Sequence, residues 1–271
     1  MFSEGYLDKV YYRFWQADNA IANVFAIHGL GGHSFWFDSA GSQFNKNKIN
    51  LFSFDLPGFG KSNYPKGEIP SYKNWIEVTR QILEKFLNDF HTKSPVFILG
   101  HSLGALIAIL LCKSVRANGW IISVPGFEGE NKTWPLFKFV LPVLCKSVFS
   151  PGENVIMPFG PELLTKNRDT QLKVKKDPLR VVNLPASTFL QVQLLVQKAK
   201  SSMGSINGPV LMLMAGKDMV CSNQAMEKYF DQINVEDKSK KIYTNSFHDL
   251  FIEDEVAQIV NDISDWIRKR V

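Results

Sequence analysis

Short apolar runs recur along the chain, separated by longer amphipathic and polar stretches. The runs lie at residues 21–27, 51–54, 95–99, 120–124, 210–216 and 241–244. Near-continuous apolar strands are typical of a sheet that is covered on both faces, and such sheets are mostly parallel. The pattern therefore predicts six strands of a mostly parallel sheet.

Helical patterns lie between these strands. Residues 72–89, 105–115 and 255–270 carry apolar side chains at the spacing of one helix face. The last of them ends in a basic turn, which suits the C-terminus of a helix. Strands that alternate with helices predict an α/β fold, with a mostly parallel central sheet flanked by helices.

One segment interrupts the alternation. Between residues 125 and 185 no strand–helix unit repeats, and the stretch 134–144 is apolar nearly all round. We interpret this segment as a helical cap that stands over the sheet. The predicted organisation is therefore an α/β core of residues 1–124 and 186–271, with a cap insertion at 125–185.

Composition and charge exclude several classes of protein. The 271 residues are 45% hydrophobic and 21% charged, which excludes intrinsic disorder. The net charge of +5 is small and scattered, so no nucleic-acid partner is predicted. Three cysteines, Cys112, Cys145 and Cys221, match no metal or redox motif, and we expect reduced thiols.

The ends of the chain and its hydropathy bear on location. Glu4 and Asp8 lie in an N-terminus without an apolar core, so no signal peptide is predicted. No apolar stretch approaches the ~18 residues of a membrane span. A cytoplasmic location is expected, and weak attraction to an anionic membrane surface stays open. The sequence does not determine the oligomeric state.

A glycine-flanked serine is the first candidate for chemistry. Ser102 lies in Gly100-His101-Ser102-Leu103-Gly104, between a predicted strand and a predicted helix. A G-x-S-x-G turn in that setting presents the serine oxygen at a helix N-terminus, where a developing anion is favoured. The five-residue pattern alone arises by chance in about one chain in ten of this length. An ordinary glycine-rich turn is the alternative, and the strand–turn–helix setting disfavours it.

A serine nucleophile needs a base, which is normally histidine. His28, His33, His91 and His101 all precede Ser102, and only His248 follows it. Hydrolases of this kind place the nucleophile first, the acid second and the histidine last. This order predicts His248 as the base; the alternative is an isolated surface histidine.

The acid that orients the histidine is expected at the end of an intervening strand. Asp218 directly follows the fifth strand and precedes His248 by 30 residues. The alternative role for Asp218 is to cap the next helix. Asp249 is expected to point away from the base, and Glu253 is a weaker substitute for Asp218.

Two backbone N–H groups should stabilise the oxyanion of an acyl-transfer reaction. Leu103, directly after the nucleophile, and Leu30, in the glycine-rich loop 28–32, are the candidates. A glycine-rich turn without a ligand is the alternative for that loop.

The segment 58–62 resembles a phosphate-binding loop but has Asp55 where that motif needs glycine, so no nucleotide is expected. No metal motif occurs, and no cofactor is predicted.

The chain resembles the α/β-hydrolase superfamily, and within it the monoacylglycerol lipase and lysophospholipase branch. The resemblance covers about residues 20 to 270, and one residue, Ala105, departs from the glycine that often follows the serine turn. The matching segments are His28–Ser34, Asp55–Ser62, Gly100–Gly104, Asp177–Leu179, Gly216–Asp218 and Phe247–His248.

The resemblance implies a serine hydrolase that cleaves small acyl esters, such as monoacylglycerols or lysophospholipids, in two steps without a cofactor. Ser102, His248 and Asp218 would form the triad. One alternative keeps the site and changes the bond to a non-lipid ester, a thioester, an amide or a carbon–carbon bond. Another is a non-catalytic member of the fold that binds a ligand.

The apolar part of the insertion is the candidate acyl-binding region. Five of its residues are proposed to line a pocket or to touch a membrane. They are Trp134, Phe137, Val140, Leu141 and Leu144. The alternative is that they only pack the insertion onto the core.

Overall fold

The computed structural model describes residues 1–90, 94–130 and 132–271, apart from the side chains of Leu136 and Phe137. Its main feature is an eight-stranded sheet of order β1-β2-β4-β3-β5-β6-β9-β10. The strands are β1 Phe2–Leu7, β2 Val10–Trp15, β3 Ala22–Ile27, β4 Ile49–Phe54, β5 Val96–His101, β6 Gly119–Ser123, β9 Val210–Ala215 and β10 Lys238–Tyr243. The pairs β1–β2 and β2–β4 are antiparallel, and every later pair is parallel. The predicted mostly parallel sheet is confirmed.

All six predicted strands are present, but the prediction missed the hairpin of β1 and β2. Side chains of β1 alternate between exposed and half-buried, because this strand lies at the edge of the sheet. An edge strand with a solvated face lacks the continuous apolar run of a buried parallel strand. The opposite edge strand, β10, begins three residues earlier than predicted, in the polar stretch Lys238–Lys240, and lysines are common on sheet edges.

Helices cover the sheet. They are α1 Asp38–Lys46, α2 Tyr72–Asp89, α3 Leu103–Leu111, α8 Asn223–Phe230 and α9 Val256–Arg268. The bounds of α2 are those predicted, and the Ser71 side chain caps its start by accepting from the Lys73 N–H. Every residue of α3 is buried, so this helix packs against core on all sides.

The segment between β6 and β9 forms a separate layer. It contains a π-helical turn Leu136–Val140, α4 Leu141–Phe149, β7 Asn154–Ile156, α5 Pro161–Leu164, α6 Arg168–Lys176, β8 Asn183–Pro185 and α7 Ala186–Lys200. Strands β7 and β8 pair with each other, apart from the main sheet. Helix α7 packs both on α4 and on α3. The predicted boundary between insertion and core, after residue 185, therefore lies just before α7, a helix that contacts both the insertion and the core. The domain limits stay a prediction.

Backbone hydrogen bonds fasten the insertion to the core. The Val181 N–H donates to the Gly31 carbonyl at 3.0 Å, and the Asp249 N–H donates to the Leu164 carbonyl at 2.8 Å. Gly31 has φ +78°, and a Cβ there would lie 2.5 Å from the Val181 carbonyl oxygen. Only glycine permits this approach. Across the described ranges, no helix has both the length and the apolar character needed to cross a membrane.

Candidate active site

Ser102 occupies a strained turn between β5 and α3. Its φ of 53° and ψ of −110° lie where residues with a Cβ are rarely found. A Cβ on Gly100 would lie 2.3 Å from the Gly104 carbonyl oxygen, and one on Gly104 would lie 2.1 Å from the Ile27 carbonyl oxygen. Both glycines are therefore required for the turn to pack against β3 and α3. Strain of this kind is typical of functional sites.

The side chains of Ser102, His248 and Asp218 form one hydrogen-bonded line. His248 Nε2 lies 3.1 Å from Ser102 Oγ, and His248 Nδ1 lies 2.8 Å from Asp218 Oδ2. A carboxylate oxygen only accepts, so Nδ1 carries the proton and Nε2 faces the serine hydroxyl as an acceptor. The structure thus brings together the three residues that chain order singled out.

The loop that carries Asp218 is clamped by backbone contacts. Asp218 Oδ1 accepts from the Val220 N–H at 2.8 Å and from the Cys221 N–H at 2.9 Å. The Ser222 N–H donates to the Glu128 carbonyl at 2.9 Å, which ties this loop to the segment after β6. Helix α8 is capped by the Ser222 side chain, so the alternative cap role for Asp218 is wrong.

Two further carboxylates follow His248, and neither replaces Asp218. Glu253 accepts from the Phe247 N–H at 2.6 Å and from Thr165 Oγ1 at 2.9 Å, so it supports the backbone beside the base. In the described part of the chain no hydrogen bond joins Glu253 to His248. The Asp249 carboxylate points to His101, 3.5 Å from its Nε2.

The surroundings of His248 favour its protonated form. Burial lowers the pKa of His248, but the charge of Asp218 and its hydrogen bond outweigh burial, and the charge of Asp249 adds to them. The net effect is a pKa raised above the ordinary 6.5. A base that holds a proton more firmly removes it from a serine hydroxyl more readily.

The two candidate oxyanion donors lie beside Ser102. Leu30 and Leu103 line the same cavity as Ser102, and Leu103 is the first residue of α3. Within the described ranges neither N–H has a hydrogen-bond acceptor, so both are free for a ligand. The loop of Leu30 is held by the Leu56 N–H, which donates to His28 Nε2 at 2.9 Å. The oxyanion role of these residues stays a prediction.

Three of the remaining histidines have structural partners. Burial lowers the pKa of His28 to about 4, so its Nε2 accepts from the backbone as a neutral ring. His33 contacts Asp177, and His101 contacts Ser123 and Asp249. His91 lies outside the described residues.

A cavity of about 330 Å³ opens from Ser102 between the core and the insertion. Of the predicted acyl-binding residues, Trp134 and Val140 line it. Leu141 and Leu144 are not among the lining residues, and Leu141 is 40% exposed, because it lies on the outer side of α4. The side chain of Phe137 lies outside the described residues.

The sequence interpretation missed several walls of the cavity. Helix α7 supplies one stripe of lining residues, and α3, the loop after β6 and the segment before α5 supply others. They include Phe189, Val192, Val196, Leu106, Phe127 and Phe159. The spacing of Phe189, Val192 and Val196 by three and four residues is the signal that could have identified one apolar face of α7.

One group of potential metal ligands occurs among the described residues. Atoms of Asp218, Cys221 and His248 lie within 4.8 Å of one another. Burial raises the pKa of the Cys221 thiol well above its usual range, and the charges of Asp218 and Glu130 raise it further. A cysteine binds a metal ion as its thiolate, which this raised pKa disfavours. Because both Asp218 oxygens and His248 Nδ1 already have hydrogen-bond partners, the group fits a proton-transfer role better than a metal site.

Comparisons with known proteins bear on the fold and the family of this chain. A monoglyceride lipase homolog from Monkeypox virus is 29% identical over 272 residues, which cover 97% of this chain and 96% of that protein. The structure of a soluble variant of monoglyceride lipase from Saccharomyces cerevisiae, solved with a substrate analog, matches with a TM-score of 0.88 at 21% identity. That match covers 99% of this chain and 95% of the other.

A third relative is much longer. An uncharacterized abhydrolase domain-containing protein from Dictyostelium discoideum is 26% identical over 93% of this chain, which spans only 27% of that protein. These similarities confirm the predicted resemblance to the α/β-hydrolases and their monoacylglycerol lipase branch, and they agree with the predicted class of carboxylic ester hydrolase. The family model described as serine aminopeptidase, S33, matches residues 18–255, so the chain belongs to that family of α/β-hydrolases.

Proposed function

We propose that this chain is a serine hydrolase that cleaves carboxylic esters of acyl lipids, with monoacylglycerols and lysophospholipids as the substrate class. The observation that carries the proposal is the line from Ser102 Oγ through His248 to Asp218, which opens into a largely apolar cavity. The names of the relatives, monoglyceride lipases, agree with it.

The first step transfers the acyl group to the enzyme. Ser102 Oγ attacks the ester carbonyl carbon while His248 Nε2 takes the hydroxyl proton. The Leu30 and Leu103 N–H groups stabilise the oxyanion of the tetrahedral intermediate. His248 then gives its proton to the leaving alcohol, and Asp218 holds the imidazole in the required tautomer throughout.

The second step returns the enzyme to its starting state. Water enters in place of the alcohol and loses a proton to His248 as it attacks the acyl-serine carbonyl. The second tetrahedral intermediate collapses, the fatty acid leaves and His248 returns the proton to Ser102. Each proton is therefore passed through His248 Nε2, and no other co-reactant is needed.

The lining of the cavity favours an acyl chain over a peptide N-terminus. An aminopeptidase must bind a charged amino group, usually with a free carboxylate. Glu128 is the acidic lining residue in the described part of the chain, and its Oε1 already contacts Lys200 Nζ at 2.9 Å. The apolar walls instead match the surface of a hydrocarbon chain.

The test measures hydrolysis of p-nitrophenyl esters of increasing acyl length, of 1-monoacylglycerols, of lysophospholipids, and of an amino-acid anilide as the amide comparison. Ser102→Ala is the control for the nucleophile, and a fluorophosphonate probe reports the reactive serine. We expect wild-type protein to be labelled and to cleave the acyl esters, and Ser102→Ala to do neither. Equal turnover by both proteins would overturn the serine mechanism.

Two results of the same screen would change the proposal in different ways. Labelling without cleavage of any acyl lipid, but with cleavage of the anilide or a thioester, would keep the triad and change the bond. No labelling and no turnover would point to a non-catalytic member of the fold that binds a ligand.

We also propose that the insertion 125–185 acts as a cap that touches a lipid surface. Val148, Phe149 and Ile156 are 69%, 83% and 70% exposed, and the three lie close in sequence at the end of α4 and on β7. Exposed apolar groups at one corner of a cap can enter the boundary between lipid headgroups and acyl chains. Membrane contact there would bring the insertion, whose residues Val140 and Phe159 line the cavity, to the lipid surface.

Sedimentation with phosphatidylcholine vesicles, with and without phosphatidylserine, tests this contact. We expect the double variant Val148→Ser with Phe149→Ser to bind vesicles less than wild type, with unchanged hydrolysis of a water-soluble short ester. Leu172→Ser is the matched control, because Leu172 is an apolar residue that is 54% exposed on a different helix, α6. Equal loss in both variants would contradict a localised contact.

A further inference from the structure

A second buried pair of side chains lies directly beside the Ser102–His248–Asp218 line. His101 precedes the nucleophile, Asp249 follows the base, and His101 Nε2 lies 3.5 Å from Asp249 Oδ2. Both side chains are 4% exposed. The rings of His101 and His248 lie with their centroids 5.4 Å apart. The triad mechanism gives neither residue of this pair a task.

Contacts on both sides fix the pair. His101 Nδ1 lies 3.3 Å from Ser123 Oγ, at the end of the neighbouring strand β6. Asp249 Oδ1 accepts from the Phe251 N–H at 3.2 Å, and the Asp249 N–H donates to Leu164 of the insertion. The pair therefore links β5, β6, the loop of the base and the insertion.

The protonation states of the pair follow from burial. Burial lowers the pKa of His101 well below its ordinary value, and the neighbouring His248 and His28 lower it further, so His101 is neutral. Burial raises the pKa of Asp249 to about 6. At neutral pH Asp249 is therefore a carboxylate, and its Oδ2 lies 3.5 Å from His101 Nε2. A carboxylate that faces Nε2 favours the tautomer with the proton on that nitrogen, so His101 Nδ1 accepts from the Ser123 hydroxyl at 3.3 Å.

We propose that Asp249 and His101 form a positioning pair, which joins the segment of the base to the segment of the nucleophile and places a second carboxylate beside His248. The inference rests on the proposed function, because it gives the pair a role only in a reaction that uses His248 as a base. Neither residue is expected to contact substrate.

The pair acts on His248 in two ways. The side-chain contact joins the residue before Ser102 to the residue after His248, so it restrains the distance between nucleophile and base. The Asp249 charge adds to that of Asp218 in stabilising the imidazolium that forms when Ser102 is deprotonated. Removal of that charge leaves Asp218 alone to offset the burial of His248.

Other charged or titratable groups face His101, Asp249 and His248 from the neighbouring elements. Asp218 faces His248 from the loop after β9, with the protonated thiol of Cys221 close by. His28 faces His101 from the loop after β3. Glu253 faces Asp249 from the same loop and opposes its ionisation.

The test compares pH profiles of kcat/KM for wild type, Asp249→Asn, His101→Gln and the double variant on a water-soluble ester. Rates are divided by the number of sites that a fluorophosphonate labels, so that partial misfolding does not count as a catalytic loss. We expect Asp249→Asn to lower kcat about tenfold with KM nearly unchanged. The acid limb of its profile should move to lower pH by up to about one unit.

The double variant tests whether the two residues act together. If they form one unit, the loss in the double variant will be clearly smaller than the product of the two single losses. Glu253→Gln is the matched control. It removes another buried carboxylate of the same loop, whose hydrogen bonds go to the backbone and to Thr165, and it should leave the acid limb in place.

Opposite results have distinct meanings. An Asp249→Asn profile that superimposes on wild type, with kcat per labelled site within twofold, would overturn the positioning role. If Asp249→Asn does not fold, His101→Gln decides: an unchanged kcat per labelled site overturns the role and a severalfold loss supports it. A wild-type protein that is neither labelled nor active would refute the proposed function itself.

Discussion

His33 Nε2 donates a hydrogen bond to Asp177 Oδ2 at 2.7 Å, and this contact joins the insertion to the glycine loop that carries Leu30. Trp36 Nε1 donates to the same oxygen at 3.2 Å, and the Leu179 N–H donates to Oδ1 at 2.9 Å. Burial raises the pKa of Asp177, but the hydrogen bond and charge of His33, together with the other donors, outweigh it and lower the pKa to about 2. The ionised carboxylate is therefore the form that fastens the insertion.

Asp177→Asn should lower the free energy of unfolding at pH 7 by about 1–3 kcal/mol, because a charged acceptor of three donors is lost. A depressed carboxyl pKa stabilises the fold above the unfolded pKa near 4, and this contribution is lost as the pH falls to about 2. Thermal unfolding should thus separate variant and wild type at pH 7 and bring them together near pH 2. The control is Asp18→Asn, because Asp18 is exposed and has no ion-pair partner in the described ranges; this variant should hardly change the thermal midpoint. Equal midpoints for Asp177→Asn and wild type at pH 7 would contradict the prediction.

Gly104→Ala should abolish fluorophosphonate labelling of Ser102. The added Cβ would lie 2.1 Å from the Ile27 carbonyl oxygen, so either the serine turn or β3 must shift. Gly152→Ala is the matched control, because no atom lies within 4 Å of a Cβ there. Labelling and circular dichroism of both variants check the prediction, and normal labelling of Gly104→Ala would show that the turn tolerates a side chain.

The acid limb of kcat/KM should lie above pH 6.5. The reaction needs neutral His248, and the net effect of burial, Asp218 and Asp249 raises its pKa above that ordinary value. Activity should therefore rise with pH through the raised pKa, with a slope of one on a logarithmic plot. A limb centred below pH 6.5 would mean that burial outweighs the two carboxylates.

Val196→Phe should shorten the longest acyl chain that is hydrolysed efficiently. Val196 lines the cavity and is 7% exposed, so a larger side chain removes space that the acyl group would occupy. Leu194→Phe is the control on the same helix, since Leu194 is 44% exposed on the other face. Hydrolysis of a p-nitrophenyl ester series should show a loss for long chains only in Val196→Phe. The same cut-off in both variants would place the acyl chain elsewhere.

Asp249→Asn should gain stability relative to wild type as the pH rises from 4 to 7. The pKa of Asp249 is raised to about 6, so its protonated form stabilises the fold below pH 4 and this contribution is lost as the pH rises through 6. Asparagine does not ionise, so the variant does not lose this contribution as the pH rises. The difference in thermal midpoint between variant and wild type should therefore become more positive across this interval. A difference independent of pH would show that Asp249 does not titrate there.

Local sequence patterns were sufficient to predict most of the strands and helices of the α/β core. The bounds of α2 follow from the spacing of its apolar residues and from the cap at Ser71, which are properties of the helix itself. The strands β3, β5 and β6 are apolar on both faces and could be recognised without their neighbours. The edge strand β1 could not, because its side chains alternate between exposed and half-buried and form no apolar run. Strand β2 is interior and mostly buried, and its run of aromatic residues is the signal that the prediction overlooked.

The triad candidates also follow from chain order. A strand–turn–helix with glycines on both sides singled out Ser102, and His248 is the one histidine that follows it. The order of elements in a parallel sheet brings strand ends to one edge, so residues far apart in sequence meet there.

Only tertiary packing decided which residues line the cavity and which side chains contact each other beside the triad. An apolar residue of the insertion can face the core or solvent, so Val140 lines the cavity while Leu141, its neighbour, is 40% exposed. The contact of His101 with Asp249 likewise depends on where two loops meet. Sequence by itself determined which residues have the right chemistry, because chemistry and local turns are carried by the chain. The direction of each side chain was decided only by the elements that pack around it.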